Sequence, residues 1–192
     1  MYKKGFYIVN AITLYRLLAA FYLLYLVIEK RADLFKWLLA ISFFTDAIDG
    51  LLARRWKVVT EIGSRLDSIA DDLTVLMAII AMFVFKPEFV RDQLSLIILL
   101  TALYFLQLIL AFVRYGKPTS FHTYLAKAAA AMQGIFLVLL FFLPQPLVQV
   151  FYIAALFTFL DLAEEIVLVL LLPYWQTDVK GLFWLKKIRH KI

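Results

Sequence analysis

"LSLIILLTALYFLQLILAFVR" runs from Leu94 to Arg114 and holds no charged side chain before its last residue. A helix of about 20 apolar residues, rising about 1.5 Å each, crosses the roughly 30 Å hydrocarbon core of a bilayer. Outward from this segment, five more apolar runs follow the same pattern, at 8–28, 35–53, 63–85, 124–143 and 147–172. The 192-residue chain is 65% hydrophobic, against about 45–50% apolar for a soluble domain. Its mean hydropathy is +0.88. These runs predict an all-α integral membrane bundle of six transmembrane helices, forming one domain over residues 1–192. Lys86-Pro87, Gly116-Lys117-Pro118 and Pro144-Gln145-Pro146 punctuate three of the links. No small-residue cleavage site follows the first run, so it is expected to be a retained helix. There is no cysteine, which excludes disulfides and thiolate metal sites.

Positive charge sets an expected orientation. Of the 20 Lys and Arg, 14 fall on one side: Lys3, Lys4, Arg54, Arg55, Lys57, Arg65, Arg114, Lys117, Lys127, Lys180, Lys186, Lys187, Arg189 and Lys191. Lys30, Arg31, Lys36, Lys86 and Arg91 fall on the other, and Arg16 lies inside the first run. The bias places both termini, and the link between the second and third helices, at the cytoplasmic side. The basic tail "LKKIRHKI" suits anionic lipid headgroups. No soluble domain accompanies it, so nucleic acid is not an expected partner. Trp37, Trp56, Tyr174, Trp175 and Trp184 lie near segment ends, as interfacial anchors do.

The charge pattern between the second and third segments is unlike the rest. "DAIDGLLARRWKVVTEIGSRLDSIADD" spans Asp46 to Asp72. Asp46 and Asp49 share a helix face with Gly50 and Ala53, and Asp67 and Asp71 share another. A helical hairpin brings the two pairs together. An Asp at mid-membrane costs about 2.5–3.5 kcal/mol on insertion scales. Two carboxylates roughly 6 Å apart repel by about 3 kcal/mol at an effective dielectric of about 20. Protonation, salt bridges to Arg, a water-filled mouth or bound cations are the available compensations. Oxygen-only ligands suit Mg²⁺ or Mn²⁺, and two such ions would make a site for displacement at phosphorus. Gly50, Ala53 and Gly63 leave room there, and Arg54 offers paired donors to phosphate oxygens. The bland alternative is an interfacial ion-pair cluster neutralised by Arg54, Arg55 and Arg65.

These residues resemble the signature of the CDP-alcohol phosphatidyltransferases, D-x2-D-G-x2-A-R-x8-G-x3-D-x3-D. It is met at Asp46, Asp49, Gly50, Ala53, Arg54, Gly63, Asp67 and Asp71. "NAITLYR", with Asn10, Thr13 and Arg16, is similar to the first-helix pattern of many members. The resemblance implies transfer of a phosphatidyl group from CDP-diacylglycerol to a polar alcohol, with release of CMP. It implies two Mg²⁺ or Mn²⁺ ions held by Asp46, Asp49, Asp67 and Asp71, with Asp71 also the catalytic general base. Gly50, Ala53, Arg54 and Gly63 would line the CDP site. It further implies membrane lipids as neighbours, a homodimer, and a prokaryotic cytoplasmic membrane with the active site facing the cytoplasm.

The acceptor is less legible. Arg114, Lys117 and Lys127 form a cationic patch suited to a phosphorylated acceptor such as glycerol 3-phosphate. The stretch departs from the Gly-Lys-x-Lys-Thr pattern of phosphatidylglycerophosphate synthases, so inositol phosphate and serine stay open. His122 is assigned no chemistry. Asp161, Glu164 and Glu165 lie in the last segment at a depth similar to Arg16, and a buried pair between Arg16 and one of the two Glu is expected. Asp72, outside the signature, points about 100° from Asp71 on the helix and is expected to be a helix-start charge or to support a neighbouring site residue. A membrane prenyltransferase would need more spans and two separated motifs. A cation channel or transporter would need a polar path across the whole membrane.

Overall fold

The computed structural model describes the backbone of residues 2–56, 61–177 and 179–183, and the side chains within them except 2–10, 47, 49–56 and 61–68. The described residues form seven helices: α1 Tyr2–Ile28, α2 Ala32–Trp56, α3 Glu61–Phe85, α4 Pro87–Asp92, α5 Leu94–Tyr115, α6 Tyr124–Phe142 and α7 Val148–Leu171. The six apolar segments coincide with the six long helices. The link at Lys86-Pro87 holds the short helix α4, opened by a proline at its first position, where no N–H is needed. Its Phe89 and Val90 are buried.

Three helical stretches among the described residues are long and apolar enough to cross a membrane: Ala11–Ile28, Leu94–Tyr115 and Tyr124–Phe142. Helix α7 is of similar length but carries Asp161, Glu164 and Glu165 in its second half. Its share in a membrane bundle therefore depends on satisfying those acids within the protein. Among the described residues the fold is all-helical, with three helices suited to a membrane.

Backbone contacts divide the chain into two compact units, Met1–Arg91 and Asp92–Ile192. In the first, α1 packs along both α2 and α3, which touch each other less. The buried positions of α1 include Thr13, Arg16, Ala20, Leu23 and Val27, a stripe with steps of three and four. Ala70, Thr74, Ala78 and Ala81 form the matching stripe of α3, all buried and all small. Small side chains let helix backbones approach closely where hydrophobic transfer drives little. Thr74 returns its hydroxyl to the Ala70 carbonyl at 2.8 Å, so the seam has no stray donor there. On α2, Phe35, Leu39 and Ser42 are buried, and Asp46 continues their spacing. Phe35, near the start of α2, meets Phe85 at the end of α3 edge to face at 5.6 Å, which makes the pair an antiparallel hairpin. At the exposed start of α2, Lys36 donates to Asp33 at 2.7 Å and holds its carboxyl below the usual range.

In the second unit, α7 packs against α5 and α6. Ala111, Phe121, Leu168, Val169, Leu172 and Val179 form a buried core, with Leu110, Tyr115 and Leu182 against it. Gln133 donates to Thr158 at 2.7 Å across α6 and α7. Helix α5 ends at Gly116, whose φ of 69° is the left-handed conformation glycine adopts at little cost. Thr123 caps α6 by accepting the Ala126 N–H at 2.9 Å.

A carboxylate site and a cationic pocket

The stripe that packs α2 against α1 also delivers Asp46, and the stripe of α3 delivers Asp71 next to Ala70. Both meet Arg16 of α1. Arg16 Nη1 lies 2.7 Å from Asp46 Oδ1. Its Nη2 pairs with Asp71 Oδ1. The Arg16 side chain is 2% exposed, whereas Asp46 and Asp71 are 38% and 41% exposed. The first and last carboxylates of the motif therefore converge on one buried guanidinium, with accessible surface left on each. Asp72 is exposed, on a different side of α3 from Asp71.

Asp49, Gly50, Ala53, Arg54, Gly63 and Asp67 fall within the ranges of α2 and α3, but their side chains lie outside the described residues. Among the described residues no group of three or more His, Cys, Asp or Glu has metal-binding geometry. The two described motif carboxylates still suit a hard divalent cation. They are oxygen donors from two different helices, brought to one place and partly open, as Mg²⁺ and Mn²⁺ ligands must be.

Arg16 is expected from the sequence to pair with Glu164 or Glu165, and the pairs found for it are with Asp46 and Asp71. Arg16 takes the two motif aspartates, because its place on the α1 stripe faces α2 and α3. Glu165 is satisfied within the second unit, where Gln107 donates to it at 2.7 Å and Thr119 at 3.1 Å. Gln107 is itself buried and also donates to Thr119 at 2.8 Å. Glu164 Oε1 accepts the backbone N–H of Leu182 at 3.0 Å. Gly181 precedes this contact with a φ of 136°, and a Cβ there would lie 3.0 Å from Glu164 Oε1. Glycine thus answers both the backbone angle and the close approach. Asp161 Oδ1 and Glu164 Oε2 are buried without a hydrogen-bond partner among the described residues.

The three acceptor candidates part company. Arg114 donates through Nε to the Leu172 carbonyl at 3.0 Å, just past the end of α7. Lys117 places its Nζ 3.5 Å from the centre of the Trp175 ring. Trp175 in turn donates to the Pro118 carbonyl at 3.0 Å. Lys127 lines a cavity of about 180 Å³ together with His122, Tyr124 and Lys180. Lys180 reaches it because the segment after α7 runs back beside α6. Ser120 and Thr177 form an isolated parallel bridge, and the Lys180 carbonyl accepts the Tyr124 N–H at 3.3 Å. Sequence reasoning counted Lys180 only as topological charge. No local pattern links it to Lys127, 53 positions earlier.

Carboxylates from two helices on one cationic floor, in an all-helical membrane protein, define a class of membrane protein with an acidic site shared by a helical hairpin. A family model described as CDP-alcohol phosphatidyltransferase matches residues 6–171, and the chain belongs to that family. It is 33% identical over 91 residues to a cardiolipin synthase (CMP-forming) of Streptomyces coelicolor, covering 47% of this chain and 41% of that protein. It is 42% identical over 53 residues to a CDP-diacylglycerol--glycerol-3-phosphate 3-phosphatidyltransferase of Sodalis glossinidius, covering 24% and 29%. A protein of the same description from Haemophilus influenzae is 39% identical over 56 residues, covering 29% and 30%. The chain thus spans less than half the length of each of these curated relatives. No solved structure matches the chain.

Proposed function

We propose that the protein transfers a phosphatidyl group from CDP-diacylglycerol to a phosphorylated glycerol acceptor, releasing CMP, and that residues 1–192 act as one catalytic membrane domain. The observation that carries this reading is the convergence of Asp46 and Asp71, the outer carboxylates of the eight-position motif, on Arg16. Asp46, Asp49, Asp67 and Asp71 would hold two divalent ions, Mg²⁺ or Mn²⁺. Bound there, such ions polarise a phosphate and stabilise a phosphate leaving group. Gly50, Ala53, Arg54 and Gly63 would line the CDP moiety, with Arg54 the candidate donor to the diphosphate.

Asp71 takes the proton of the acceptor hydroxyl. The freed oxygen attacks the lipid-side phosphorus, a new P–O bond forms, and the bond to the CMP oxygen breaks. Within the second unit, the pocket of Lys127 and Lys180, with His122 and Tyr124 beside them, is the candidate for holding an acceptor phosphate. Arg114 and Lys117 support the walls by holding the segment after α7. Two relatives named for glycerol 3-phosphate favour that acceptor. The relative named as a cardiolipin synthase favours a second reading, in which the acceptor is itself a glycerophospholipid. The six long helices are read as six spans with both termini and the site at the cytoplasmic face, in a prokaryotic membrane and as a homodimer.

One assay tests the reaction. Folded protein receives CDP-diacylglycerol, Mn²⁺ or Mg²⁺, and separately glycerol 3-phosphate, phosphatidylglycerol, inositol phosphate or serine. CMP release is expected with glycerol 3-phosphate. Release with phosphatidylglycerol instead selects the second reading, and silence with every acceptor sinks the proposal.

A further inference from the structure

We infer that Arg16 is a positioning residue of the carboxylate site, holding the two halves of the motif face to face before any cation or donor arrives. The inference rests on the reading of Asp46 and Asp71 as metal ligands.

The geometry has three parts. Arg16 belongs to neither half of the motif; it comes from α1, which packs on both α2 and α3. It divides its fork, with Nη1 to Asp46 and Nη2 to Asp71, so one rigid planar group sets the separation of two side chains from different helices. Its side chain is buried, at 2% exposure, while the carboxylates it holds stay 38% and 41% exposed.

The physical need is clear. Carboxylates gathered without a cation repel one another, and the hairpin α2–α3 has little direct contact to oppose that. Arg16 supplies the opposing charge at fixed geometry and in a buried setting, where water competes little. Hydrogen-bonded supports of metal ligands commonly change metal affinity by about 10–100-fold when removed.

The test uses the full chain in detergent micelles and Mn²⁺ alone, titrated by electron paramagnetic resonance without nucleotide or lipid. Arg16→Gln should weaken Mn²⁺ binding by about 10–100-fold. Arg16→Lys, which keeps the charge but not the planar fork, should recover part of the loss. Each variant is first checked for helix content and monodispersity, and Arg16→Lys carries the test if Arg16→Gln does not fold. Unchanged Mn²⁺ affinity in folded variants overturns the inference. Tighter binding also overturns it, because Arg16 would then be a competitor for the ion. Failure of both variants to fold assigns Arg16 to bundle stability alone and equally overturns it. Wild-type protein that binds no Mn²⁺ sinks the metal-site reading itself, an outcome distinct from wild-type binding with indifferent variants.

Discussion

The proposed reaction asks two things of the Asp71 side chain: to face a cation and to accept a proton. Its place on α3 serves both, since one oxygen is tied to Arg16 and the group keeps accessible surface. Asp71→Asn retains the size and loses the base. CMP release should fall by about 10²–10⁴-fold, the usual contribution of a positioned base, with helix content unchanged. Full activity in that variant removes Asp71 from the role. In the second unit, Gln107 donates to both Thr119 and Glu165 and is 3% exposed. Gln107→Leu leaves the Glu165 carboxylate short of a donor inside the protein. It should destabilise the fold by about 1.5–3 kcal/mol, read as a lowered thermal midpoint in detergent. The proposed acceptor pocket gives a sharper split. Lys127→Ala and Lys180→Ala should each raise the acceptor KM with little change in the KM for CDP-diacylglycerol. Equal effects on both substrates would place these lysines outside the acceptor pocket.

At the scale of the helix, α3 presents a seam of small buried residues on the way to the site. Ala70, Thr74, Ala78 and Ala81 let α1 approach closely enough for Arg16 to reach Asp71. Ala78→Leu inserts bulk into a fully buried position and should destabilise by about 1–3 kcal/mol. The same change should weaken Mn²⁺ binding, because it pushes Arg16 away from α3. A stable variant with normal Mn²⁺ affinity would separate the seam from the site. The helices themselves were legible in the apolar runs, because a 20-residue stretch without charge has few other folds available in a bilayer. Helix α4 was not, since six residues between two long runs carry too little periodicity to mark it. Arg16 pairs with Asp46 and Asp71, because the face of a helix, more than depth along it, decides which neighbours a side chain meets.

For the whole molecule, the distribution of Lys and Arg predicts a topology that the fold alone does not decide. Single cysteines placed near the N-terminus and in the basic tail of this cysteine-free chain should react with a membrane-impermeant thiol reagent only from the cytoplasmic face. Reaction of either from the opposite face would overturn the six-span arrangement with both termini inside. Much of the candidate site was written locally. Eight motif positions with fixed gaps point to the family and name the carboxylates, since side chains that share a helix face must keep helical spacing. Composition and apolar run length likewise determined that the chain is helical and belongs in a membrane. What only the tertiary structure decided is long-range in the chain: that Arg16 of α1 joins Asp46 and Asp71, that Glu165 is met by Gln107 and Thr119, and that Lys180 returns to Lys127. These contacts depend on which helix faces pack together, and packing is set by the shapes of surfaces distant in sequence. No local spacing encodes that.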